Sequence, residues 1–120
     1  MNFGYFVVPL TLFLLIAIQF ASMASPKLLS LEFEVYGRVQ GVFFRKYTQK
    51  QGKELGLRGW CMNTPKGTVL GQLEGEVQQV EKMKSWLQKT GSPKSRIDKV
   101  DFKFEKPISD FTFIDFSVRR

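Results

Sequence analysis

Histidine is absent from the chain, and cysteine occurs once, at Cys61. Without histidine there is no side chain poised near neutrality to serve as general base, no Ser–His or Cys–His nucleophile pair and no histidine-ligated metal. A single thiol with no CxxC spacing excludes an internal disulfide, argues against a zinc site and favours a reducing compartment. Charge is also missing from one end: the first 26 residues contain no Lys, Arg, Asp or Glu. Internal repeats and low-complexity stretches are lacking as well. What remains for chemistry is arginine, amide groups and bound water, so no metal and no cofactor is expected.

The uncharged start contains an apolar run over residues 3–21, interrupted by Pro9, Thr11 and Gln19 and followed by Ser22, Met23, Ala24 and Ser25. The small residues Ser22 and Ala24 have the spacing of a signal cleavage site, although no cation precedes the run. Three readings stay open. The segment is a cleaved signal; or it is an uncleaved anchor, with the cations that follow it holding the domain in the cytosol; or Met23 is an internal start that skips it. Two of the three leave the domain cytoplasmic, which is the expectation adopted, with membrane contact only if residues 3–21 persist as an anchor. The chain therefore divides into an apolar segment, 1–26, and a domain, 27–120. The domain's 94 residues carry the whole formal charge of +7. A chain of that length buries roughly 60–70% of its unfolded surface, enough for one core without staples. The excess of cations fits either steering of anionic ligands or an ordinary lysine-rich surface.

Within the domain, Leu31, Phe33 and Val35 alternate with Glu32, Glu34 and Tyr36, the pattern of a half-buried strand. Phe44, Tyr47, Thr48, Gln51 and Leu55 recur at helical spacing up to a stop at Gly56. Leu57 to Asn63 and Thr68 to Glu74 read as a hairpin around Thr64-Pro65-Lys66-Gly67. Glu76 to Lys89 reads as a second helix. Val100, Phe102 and Phe104 alternate as a fourth strand, and Phe111 to Val118 reads as a last one, best phased on Ile114, Phe116 and Val118. The order βαββαβ with a short final strand predicts an α+β, ferredoxin-like sandwich: a four- to five-stranded antiparallel sheet with two helices on one face.

Between the first strand and the first helix lies Gly37 to Arg45, reading GRVQGVFFR. Its two glycines allow the loop to curl and turn successive N–H groups inward. The helix start adds unpaired N–H groups and the positive end of its dipole. Arg45 adds a fixed charge and a fork of donors suited to a tetrahedral anion. Alone, this reads more readily as an ordinary strand-to-helix connection with a solvated arginine than as a phosphate cradle. The second stretch, Gly59 to Val69, reads GWCMNTPKGTV. Together the two resemble the acylphosphatase family, whose signatures are GxVQGVxxR and GWVxNxxxGxV; Cys61 replaces the usual valine of the second. Met83 to Leu87 (MKSWL) and Gly91 to Asp98 (GSPKSRID) also resemble animal members, and the likeness runs from Leu31 to about Arg119. Departures are Gly52, where alanine is usual, and Arg120, where a terminal tyrosine is common.

The resemblance implies hydrolysis of acyl phosphates by a monomer that needs no metal. It makes Arg45 and Asn63 the catalytic residues. Arg45 would bind the phosphate with loop amides from Val39, Gln40, Gly41 and Val42, and Asn63 would orient the attacking water. That division suits a carboxylate leaving group, which departs without a general acid, whereas an alkyl phosphate would need protonation or a metal. Lys66 is a secondary candidate for attracting the acyl phosphate and Arg38 for adding field near the cradle, against the simpler reading of both as solvated side chains; inorganic phosphate is the expected product. Cys61, between Trp60 and Met62, reads as a packed strand residue. The rival reading is a basic ferredoxin-like nucleic-acid-binding module, for which no aromatic RNA-binding strand motif is present; a catalytically silent domain is the third.

Overall fold

The computed structural model describes residues 26–120. The signal, anchor or internal start expected within the first 25 residues lies outside them. Seven elements follow: β1 (Leu28–Arg38), α1 (Phe44–Glu54), β2 (Arg58–Asn63), β3 (Val69–Glu76), α2 (Val77–Lys89), β4 (Arg96–Ile108) and β5 (Phe116–Arg119). The sheet order is β4-β1-β3-β2-β5. The first four strands pair antiparallel, as the alternating patterns require, but β5 lies parallel to β2, from Gly59 opposite Phe116 to Met62 opposite Arg119. The sheet is therefore mixed at one edge. β4 ends at the far edge, and the chain must cross the end of the sheet before β5 can begin.

One apolar cluster holds the layers together. Phe33, Val35, Cys61, Val69 and Leu73 from the sheet are fully buried against Phe44 of α1 and Val80, Met83 and Leu87 of α2. The Phe44 and Trp86 rings meet between the helices, with centroids 5.9 Å apart. Burial of about a dozen large side chains at 1.5–3 kcal/mol each is the main favourable term in folding.

Two expectations for the late strands need correction. Phe104 does not continue the alternation of Val100 and Phe102. The β1–β4 register steps from Ser30 opposite Lys106 to Glu32 opposite Lys103, and Phe104, at φ 56°, swings out with 75% of its surface exposed. A β-bulge absorbs the extra residue. The last strand starts at Phe116 rather than Phe111, and Ile114 is 93% exposed. Residues 109–115 form the crossing, and the Thr112 and Phe113 N–H groups donate to the Glu74 carboxylate (2.6 and 2.7 Å) rather than to a strand. Thr112 Oγ1 adds a third bond to it at 2.8 Å. Arg58 completes the anchorage, donating to the Phe113 carbonyl at 3.2 Å and lying 4.0 Å over the Phe111 ring.

Candidate active site

β1 delivers the Gly37–Arg45 stretch to the sheet end where the β2–β3 hairpin turns. Gly37 is obligatory there: at φ 130°, an added Cβ would stand 2.1 Å from the Arg96 carbonyl oxygen of β4. Beyond it the backbone reverses sign twice, at Gly41 (φ 75°) and at Phe43 (φ 58°), the residue that caps α1. Such alternation makes a concavity of N–H groups. The Phe43 side chain supplies no capping bond, and the first turn of α1 contains no acid. From residue 40 to residue 46, no main-chain N–H meets an acceptor among the described residues. The helix dipole is thus left uncompensated at its positive end.

A cleft of about 480 Å³ opens at this point, and Val39, Gly41, Arg45 and Asn63 all line it. Gln40 and Val42 do not line it. Val39 is buried and Val42 packs on the core, which fixes the loop from beneath. The Gln40 side chain reaches sideways, its Nε2 donating to the carbonyls of Thr64 and Thr68, each at 2.9 Å. That lacing of loop to hairpin is legible only once the two segments are known to touch. The hairpin is tight in itself: Thr64 N–H donates to the Thr68 carbonyl at 2.9 Å and Gly67 N–H to the Thr64 carbonyl at 3.1 Å.

Asn63 ends β2, paired with Val69. Its Oδ1 is buried and has no hydrogen-bond partner. Arg45 has no carboxylate within ion-pair reach among the described residues. Buried polar groups are normally satisfied, so a carboxamide with an orphan oxygen and a guanidinium without an ion-pair partner, lining one cleft, mark a place prepared for something polar. Lys46 and Arg120 also line the cleft, and no acid does. Arg120 was a residue whose sequence position signalled only terminal packing; the parallel register of β5 on β2 carries it to the cleft. Arg38 and Lys66 do not line it. Cys61 lies under the site, its thiol donating weakly to the Arg45 carbonyl at 3.7 Å. Burial pushes that thiol up to about 12, against a smaller downward pull from the Arg45 charge, so it is a neutral packing group.

The model of the acylphosphatase family matches residues 31–118. Acylphosphatase-1 of Mus musculus is 54% identical over 91 residues, covering 76% of this chain and 92% of its own, and acylphosphatase-2 of the same species is 56% identical over 90 residues, with 75% and 85% covered. Among solved structures, an acylphosphatase from Coxiella burnetii superposes with a TM-score of 0.69 at 32% identity, over 81% of this chain and all of that one. With a matched fold, a matched sequence and a cationic cleft at the position of both motifs, the chain belongs to the acylphosphatase family, hydrolases that act on acyl phosphates.

Proposed function

We propose that this cleft cleaves the phosphorus–oxygen bond of an acyl phosphate by direct attack of water, with Arg45 and Asn63 in separate roles. Arg45 and the N–H groups of the Val39–Val42 turn hold the phosphoryl oxygens. The Asn63 carboxamide hydrogen-bonds the water and sets its oxygen in line behind phosphorus. As the new bond forms, the acyl carboxylate leaves with the electron pair of the broken bond, and the water's proton passes to a phosphoryl oxygen. A carboxylate of reference pKa about 4 needs no proton to depart, so neither a general acid nor a metal is required. Positioning and charge stabilisation are what this transfer mainly demands.

The observation that carries the reading is that Asn63 and Arg45 line one cleft at the end of a loop whose N–H groups are unpaired. Its test is a pair of substitutions with acetyl phosphate as substrate. Arg45→Gln should lower kcat/KM by at least about 100-fold, the scale of losing one stabilising donor set. Asn63→Ala should lose turnover while inorganic phosphate still binds with near-native affinity. An Asn63→Ala enzyme running near full rate would remove the water-positioning role.

A nucleic-acid role finds the outer-face aromatics already occupied: Arg119 lies 4.2 Å over Trp60 and Lys99 lies 4.4 Å over Tyr36. The working unit is read as a cytosolic monomer. Its β4 edge is blunted by the Phe104 bulge, Pro107 and three lysines, which discourages edge pairing, and its thiol is buried. Sedimentation and the mass of the native N-terminus check those two points.

A further inference from the structure

Phe43 adopts a backbone conformation that suits it poorly. At φ 58° and ψ 24° it is left-handed, which costs an ordinary L-residue about 1–2 kcal/mol and would cost glycine or asparagine less. The turn into α1 explains why some residue is left-handed here. It does not explain a phenyl group. Packing is done by the next residue: Phe44 is 1% exposed, whereas Phe43 is 72% exposed. The strongly exposed Phe104 and Ile114 belong to the β4 bulge and the 109–115 crossing; Phe43 lines the cleft beside Arg45 and Asn63. Strain and exposure together, at a site wall, point to a contact the fold itself does not use.

We propose that the Phe43 ring is the contact for the acyl group, and that it biases the enzyme toward acyl phosphates with aromatic or extended apolar acyl groups over acetyl phosphate. The inference rests on the phosphate site proposed above. With the phosphoryl group held by the loop and Arg45, the acyl carbon is one bridging oxygen from phosphorus. The group beyond it must therefore leave past the lip of the cradle, where residue 43 stands. Val118 offers a second apolar surface in the same cleft. A ring packed on a ring adds selectivity without touching the chemical step.

Steady-state kinetics on benzoyl phosphate and acetyl phosphate, with inorganic phosphate as competitive inhibitor, test this in the full chain. Phe43→Asn keeps a residue at ease with a left-handed backbone and removes the ring. It should raise KM for benzoyl phosphate about 3- to 10-fold, while KM for acetyl phosphate and the phosphate inhibition constant stay within about twofold. Phe43→Trp should restore the preference. If all three constants shift together in Phe43→Asn, or the benzoyl-to-acetyl ratio does not move, the ring does not contact the acyl group. Arg45→Gln assayed alongside separates the failures: native rates on both substrates in that variant would remove the phosphate site and this inference with it.

Discussion

At the scale of a residue, Gly52 shows how far a sequence position can be understood without its neighbours. It sits in the last turn of α1, where glycine should cost up to about 1 kcal/mol relative to alanine. A Cβ at that position would lie 2.7 and 2.9 Å from ring atoms of Phe116, itself only 1% exposed. The helix needs the gap because β5 presses an aromatic ring into it. Gly52→Ala should therefore destabilise the protein, by about 1–2 kcal/mol once the overpacking penalty outweighs the propensity gain. For a domain of this size each kcal/mol corresponds to roughly 4–8 °C in Tm. Combining it with Phe116→Leu should cost less than the sum of the two single changes; simple additivity would mean the ring is not what excludes the side chain. The glycine was visible in the sequence, but its partner, 64 positions later on a strand whose start was misplaced, was not. Arg45 and Asn63 were legible for the opposite reason, since each sits at a fixed offset within a local motif.

Elements follow from local pattern until tertiary demands intervene. β1, both helices and the β2–β3 hairpin agree with their periodicity, whereas β4 and β5 do not, because a bulge and a crossing answer to residues far away in the chain. The hairpin carries its own network. Lys66 N–H donates to the Thr64 hydroxyl at 3.3 Å; the two threonine hydroxyls are 2.6 Å apart; and Thr68 Oγ1 donates to Glu34 Oε2 at 2.6 Å. Since Thr68 gives its proton to the carboxylate, Thr64 must give its own to Thr68. The bonds then run in one direction and polarise each other toward Glu34. The Thr68 hydroxyl holds the Glu34 carboxyl below its usual value, aided by Tyr36, Lys66 and Lys103 and opposed by partial burial. A carboxylate with a lowered folded-state pKa contributes stability fully present above its unfolded pKa and lost as pH falls through the folded one. Acidification from about pH 5 to pH 3 should therefore reduce the urea midpoint of the native protein more steeply than that of Glu34→Gln. Parallel slopes would mean the carboxylate does not terminate the network.

Across the whole molecule, chemistry and anchorage sit at opposite ends of the sheet. β1 runs toward the cleft and β3 away from it, so the Gly37–Arg45 loop, the Asn63–Thr68 hairpin and the last residues of β5 gather at one end. The other end holds Glu74, Arg58 and the 109–115 crossing. Glu74 is fully buried, and its carboxylate accepts three hydrogen bonds. Glu74→Ala would strand the Thr112 and Phe113 donors and release the crossing that carries the chain to β5. The expected loss is about 2–4 kcal/mol, with a fall in Tm well above 8 °C. Yet four residues of β3 separate Glu74 from Val69, which pairs with Asn63, and the cleft draws nothing from the crossing itself. At temperatures where the variant remains folded, its kcat and KM for acetyl phosphate should stay within about twofold of native. A large change in kcat at those temperatures would show that the crossing sets the geometry of the cleft through Val118 and Arg120, and that the two ends of the sheet are mechanically one.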